Sequence, residues 1–419
     1  MYWLIEDIEH IETICRTKHQ VAYIDIIPCS HTLHPVENSI CALYFRFEND
    51  NKGYIISVNH SETINFDLET VERVLNSIEK INVRDKKEFL HYFCLKHVYQ
   101  PPPTPHPYIP QLTPAHNHIY NKHLNIQDLN IIVPIVKHYE VCEQNYLNFK
   151  EGVNPFYNKA ATVFAQLEQA GIKIDQTKFE QYFNKEANEF IYTQYNLNTL
   201  TTRPSNAFGG INFSALNKDN GERECFIPRN DLFIEMDVNG MHPRIFAYIL
   251  DYTFPDGDVY EFFSMVYKTD RQTSKEITFK QLYGGIWKEY LNHEFFRKSQ
   301  EYTNKEWKNF TYNGYIECPI SNYKFYQNEL ENMNPQKLLN YILQSTETAI
   351  NVIILYNVLK RIKGYKSKIV LYVYDSILLD VTQDEADNII QIITQEYNKF
   401  NLLLTIKMGK NYNNLKVSS

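Results

Sequence analysis

The chain has 419 residues, enough for two or three domains with their own cores, and its 14% aromatic content, with 32 Tyr, excludes a disordered polymer. Its net charge of −8 argues against a uniformly basic nucleic-acid binder, and no stretch approaches the roughly 18 continuous apolar residues of a membrane span. The polar opening MYWLIEDIEH is no secretory signal, so a soluble cytoplasmic protein without a membrane partner is expected. Seven scattered cysteines without a Cys-x-x-Cys pair point away from a disulfide framework or a zinc site. Five of the 11 arginines (Arg203, Arg223, Arg229, Arg244, Arg271) fall between 203 and 271, which leaves room for a local basic groove on an acidic body.

In chain order, 21–58 reads as three strands, VAYIDII, SICALYFRF and GYIISV, and helical patterns follow near 68–80 and 86–97. A meander followed by helices resembles the ribonuclease H-like exonuclease domain attached to many DNA polymerases. That resemblance puts Asp25, at the end of the first strand, where the family's first metal ligand sits, but the companion Glu is Ile27 here. Two-metal hydrolysis needs several converging carboxylates. Residues 1–100 are therefore expected to be a degenerate exonuclease-like domain, a scaffold or a relic that does not proofread. Residues 101–114 hold seven prolines and read as the start of an extended linker over 101–123. His106, His116, His118 and His123, irregularly spaced there, read as solvated linker residues.

Phe156, Ala160, Val163, Phe164 and Leu167 mark an amphipathic helix closed by Gly171. DLFIEMDVNGMHPR reads as a strand over 231–237 ending in Asp237, then a helix from Met241. A carboxylate at a strand's end, with the Val238 carbonyl beside it, can hold Mg²⁺. In RQTSKEITFKQLYGG, Arg271, Lys275, Phe279 and Tyr283 recur every fourth residue. On a helix they form one slanted stripe about 18 Å long, with two cations at its N-terminal end and two rings at its C-terminal end. Cations and the helix dipole suit phosphate, and flat rings suit a nucleobase. A surface helix with a solvated charged end is the plain alternative. Pro335 opens a long helix ended by Gly364, on which Asn340 and Gln344 share a face. KIVLYVYDSILLDV reads as a hairpin with Asp375 at its tip, a charge costly to bury unless paired or metal-bound.

From about 200 to 415 these motifs resemble, in order, those of family A (DNA polymerase I-like) polymerases. LEQAGIKID resembles the segment that opens the family's thumb, and TTRPSNAFGGINFSAL resembles its Thr-x-Arg-x-Ser segment along the primer–template minor groove. Thr202 or its neighbour, Arg203, Ser205 and Asn212 take those positions, and an Arg can donate to the acceptors that every base pair presents in that groove. Asp237 and Arg244 match the family's first catalytic motif, with His242 where a Glu stands beside the incoming sugar. Asp375 matches the second catalytic Asp, with Tyr374 for the usual His and Ser376 for the usual Glu.

The resemblance implies an α+β polymerase right hand behind the exonuclease-like domain. It comprises a reduced helical thumb (124–200), palm (201–250 and 331–419) and fingers (251–330). It implies Asp237, Asp375 and Lys275 as catalytic residues, with two Mg²⁺ (Mn²⁺ as substitute) on Asp237, Val238 and Asp375. Arg271, Lys275, Phe279, Tyr283, His242 and Val238 would bind dNTP. Arg203, Ser205, Asn212, Arg244, Asn340, Gln344 and Tyr374 would bind DNA. Partners implied are primer–template DNA, dNTPs and a processivity factor or replisome proteins. A single-subunit RNA polymerase and a catalytically silent nucleic-acid scaffold are the competing readings.

Overall fold

The computed structural model describes residues 3–17, 19–30, 33–93, 98–99, 129–149, 155–206 and 210–417. The proline-rich segment with its four histidines, and Cys94, lie outside the described residues. The chain divides into two compact units, 1–169 with 208–210, and 170–207 with 211–419. The segment expected as one thumb, 124–200, is thus split between them at Gln169/Ala170.

The first unit runs β1 (Trp3–Leu4), α1 (Ile8–Arg16), β2 (His19–Pro28), β3 (Ile40–Phe47), β4 (Tyr54–Ser57), α2 (Leu68–Asn76), β5 (Ile78–Val83), α3 (Lys86–Tyr92) and β6 (Val98–Tyr99). Helices α4 (Ile135–Leu147) and α5 (Pro155–Ala170) follow. The strands form one sheet in the order β1-β4-β3-β2-β5-β6. The meander β2-β3-β4 is antiparallel, while β5 and β6 add in parallel on the other side of β2. The helix expected over 68–80 stops at Asn76, because the β-branched Ile78, Ile81 and Val83 that follow pair as a strand and bury in the core. The second expected helix, over 86–97, ends at Tyr92. Asp67 and Asp85 cap α2 and α3 by accepting from Thr70 and Glu88 amides.

The second unit begins with β7 (Ile172–Ile174), α6 (Gln176–Phe183), β8 (Phe190–Ile191), β9 (Phe226–Ile227) and β10 (Leu232–Val238). Four helices follow: α7 (Met241–Ile249), α8 (Val259–Tyr267), α9 (Arg271–Gly284) and α10 (Glu294–Asn313). After the hairpin β11 (Tyr315–Glu317) and β12 (Lys324–Tyr326) come α11 (Pro335–Arg361), β13 (Lys368–Val373), β14 (Ser376–Val381), α12 (Ala386–Asn398), β15 (Leu404–Gly409) and β16 (Lys416–Val417). An antiparallel sheet in the order β13-β14-β10-β15-β16 places β10 at its centre.

Ile234 and Met236 are fully buried on one face of β10, so the alternation of side chains puts Glu235 and Asp237 on the other. Asp237 lies opposite Ser376 of β14 and Thr405 of β15. Helix α11 carries Pro at its first position behind an Asn334 cap. It is long and apolar enough by length and composition to cross a membrane, and 72% of its apolar stretch is buried within the fold.

Candidate active site

The strand β10 and the β13–β14 hairpin bring the two expected carboxylates side by side. The Val238 amide donates to the Asp375 carbonyl at 3.0 Å, which ties the end of β10 to the hairpin tip. The tip is a two-residue turn, and Tyr374 takes the left-handed φ of +58° that it requires. Asn351 of α11 holds the turn by donating to the Tyr374 carbonyl at 3.1 Å.

Neither Asp237 nor Asp375 is paired with a cation among the described residues. Burial, and secondly the nearby Asp375, push the Asp237 carboxyl up to about 6, with Lys407 pulling the other way. Asp375 is raised by burial and by Glu347. Two half-buried acids, each raised by burial and by a neighbouring carboxylate and neither ion-paired, are in the condition that a divalent ion relieves. With Val238 in the same wall, a set of the two carboxylates and the Val238 carbonyl would be all oxygen, as Mg²⁺ prefers. The set is a pair and not a cluster: among the described residues no group of three or more His, Cys, Asp or Glu is placed to hold a metal.

Facing them is α9, Arg271–Gly284, as the stripe predicted. Asp270 caps it by accepting the Thr273 amide at 3.0 Å. Its buried face is polar as well as apolar: Ser274 donates to the Tyr260 carbonyl, while Thr278 and Gln281 hydrogen-bond the Tyr267 hydroxyl. These bonds fix the helix's rotation, so that Arg271, Lys275, Phe279 and Tyr283 face a cavity. Phe279 and Tyr283 stack with centroids 5.9 Å apart and planes 11° from parallel. Lys275 is exposed and makes no ion pair among the described residues, whereas Arg271 binds Asp258 at 2.6 Å. Asp258 also caps α8 and accepts from Asn239 at 2.6 Å.

The cavity is about 600 Å³. It gathers Asp237, Val238, His242, Arg271, Lys275, Phe279, Tyr283, Arg203, Asn340, Gln344 and Asp375, all of them expected site residues. Gln344 donates to Asn340 at 3.0 Å on the shared face of α11. Four expected DNA contacts do not line it. Arg244 is a correction: it is 6% exposed and its guanidinium donates to the carbonyls of Asn239 and Gly257, so it is a structural brace. Ser205 pairs by its backbone with Asn196, and Asn212 precedes a short 3₁₀ turn while accepting from Ser214. Tyr374 lies beneath the Arg203 guanidinium, 3.7 Å from ring centre to carbon.

The sequence reading missed Tyr260, Glu347 and Lys407 in the wall. Glu347 accepts from Arg203 at 3.1 Å and meets His242 Nε2 at 2.6 Å, while His242 Nδ1 contacts the Tyr283 hydroxyl. A signal was available, since Asn340, Gln344 and Glu347 recur at helical spacing on one face. Lys407 binds Glu235 at 2.7 Å on the neighbouring strand.

In the first unit, Asp25 is 6% exposed on β2, with Arg84 at 3.6 Å and the Asn145 amide donating at 2.7 Å. Its surroundings form only a slight recess of about 10 Å³.

No family model matches the chain, and no curated protein matches it. Among solved structures it is similar to the POL domain of Pol1 from M. smegmatis, described in complex with DNA primer-template and dNTP. The TM-score is 0.71 over 99% of this chain and 99% of that one, at 14% identity. The chain has the fold of a DNA polymerase I polymerase domain. That likeness is one of architecture, and at this identity it carries no residue roles.

Proposed function

We propose that the chain is a template-directed, primer-dependent DNA polymerase that joins dNTPs to a primer 3′ end in DNA replication. The observation that carries this reading is the single cavity in which Asp237 and Asp375 face Lys275, Arg271 and the Phe279–Tyr283 stack. Phosphates of an incoming nucleotide would lie against Lys275 and Arg271, and its base against the two rings. Arg271 offers a planar fork to a terminal phosphate, and Lys275 holds a proton at Nζ that can pass to the leaving pyrophosphate. Arg203, Asn340 and Gln344, at the same cavity, would read the minor-groove edge of the terminal pair. Asp237, Asp375 and the Val238 carbonyl would hold two Mg²⁺, which when bound lower the pKa of the primer 3′-hydroxyl and neutralise the departing pyrophosphate.

For the first unit we propose a ribonuclease H-like scaffold without nuclease activity. The sheet order supports the architecture, and the Arg84 and Asn145 contacts to Asp25 support the silence.

Primer extension tests both readings. With a matched primer, template and Mg²⁺, dNTPs are expected to extend the primer, while NTPs and Asp375→Ala are not. A 3′-mismatched primer incubated without dNTPs should keep its length. Efficient extension by NTPs would favour the RNA polymerase reading. Equal extension by wild type and Asp375→Ala would leave a nucleic-acid-binding scaffold.

A further inference from the structure

The chemistry above makes no use of Glu347. Its side chain is 0% exposed, and an unpaired carboxylate at such depth is costly. Burial pushes it up, but bonds from His242 and Arg203 more than offset this and hold it below the usual carboxylate range.

Each partner leads to a different part of the cavity. On one side, the Arg203 guanidinium lies on the ring of Tyr374, the left-handed residue immediately before Asp375. On the other, His242 reaches the Tyr283 hydroxyl, and Tyr283 stacks on Phe279. No hydrogen bond joins Arg203 to Tyr283 among the described residues. Glu347 is what connects the groups beside the Asp375 turn to the ring stack on α9.

We infer that Glu347 is a positioning residue that couples the primer-facing Arg203 to the nucleotide-facing Tyr283, so that a distorted primer end is felt at the nucleotide seat. The inference rests on the polymerase reading. A correctly paired terminus leaves Arg203 on Tyr374 with one nitrogen on Glu347. A mispaired terminus that draws Arg203 away leaves the buried carboxylate with His242 alone. The pull on His242 then displaces the Tyr283 ring. Misaligned primer ends are thereby penalised at the step of nucleotide binding.

The test is steady-state addition of a single dNTP to matched and 3′-mismatched primers. Glu347→Gln keeps the volume and removes the charge. It is expected to narrow the matched-to-mismatched ratio of kcat/KM by about tenfold, mainly through a lower nucleotide KM on the mismatched primer. Should that variant fold poorly, a double-mutant cycle of Arg203→Lys and Tyr283→Phe on the matched primer decides. Their effects on nucleotide kcat/KM are expected to be non-additive by about fivefold or more. Effects additive within about twofold, or a Glu347→Gln loss equal on both primers, would overturn the coupling while leaving the polymerase standing. A wild-type chain that extends no primer overturns both.

Discussion

Asp25 and Asp237 occupy comparable places in the two units, each on a strand flanked on both sides within its sheet, yet they differ in paired cation and in the space before them. Asp25 is met by the Arg84 guanidinium and the Asn145 amide, and although Asp85 and Glu88 share its recess, the space there is only about 10 Å³. Asp237 has a second acid for a neighbour and an open cavity in front of it. A half-buried acid without a paired cation is carried at a cost to the fold that a divalent ion would relieve. An acid whose counter-charge comes from its own chain has less need of such an ion.

The sharpest way to break this contrast is to neutralise each acid in turn. Asp237→Asn or Asp375→Asn is expected to lower primer extension by roughly a thousandfold or more, about 4 kcal/mol of barrier. Asp25→Asn should leave extension within about twofold, a change near the size of assay scatter. A comparable loss for Asp25→Asn in a gel-based extension assay would refute the division of roles. Next in size is the cationic end of α9. Lys275→Ala should cost roughly a hundredfold in kcat/KM for dNTP, and Arg271→Ala roughly tenfold, because Arg271 already serves Asp258.

The contrast also has a thermodynamic form with a definite sign. The folded-state pKa of Asp237 is raised to about 6, so ionising it costs stability as pH climbs from the ordinary carboxylate range through 6. Without metal, Asp237→Asn is therefore expected to raise stability by ~1–2 kcal/mol at pH 8 and to change nothing at pH 3.5. Glu385 is the opposite case. It accepts from the Ser367 hydroxyl at 2.6 Å and from the amides of Ser367 and Lys366, which overcome burial and hold it down to about 2. Its contribution is present above the ordinary carboxylate pKa and fades as pH falls toward 2. Glu385→Gln should cost ~1 kcal/mol at pH 7 in chemical denaturation and almost nothing at pH 2. A pH-independent difference in either variant would show that charge is not the cause.

Much of the candidate site's placement was legible because its residues obey local periods. The four-residue stripe of α9, the strand that ends in Asp237 and the two-residue tip at Asp375 each carry their own signal. The wall residues that were missed depend on tertiary packing. Glu347 sits in an apolar helix where a Glu reads as solvent-facing, and only the approach of Arg203 and His242 makes its burial tolerable. Arg244 failed in the other direction. Its match to a motif of the resembled family suggested an outward role, but its carbonyl partners lie 5 and 13 residues away and draw it inside. In the first unit, the strand β5 was hidden because Glu79 and Lys80 extend the helix-like pattern past Asn76. The left-handed backbone at Gly240 was not legible either. A Cβ there would collide with Val259, so the turn between β10 and α7 tolerates no side chain.

Asp258 has a consequence of its own. One carboxylate oxygen takes both Asn239, at the end of β10, and Arg271, at the head of α9. An incoming anion that recruits Arg271 must displace a resident one, so arrival of the ligand is an exchange and not a simple capture. The swap would release the tether that Asp258 makes between the end of β10 and the head of α9.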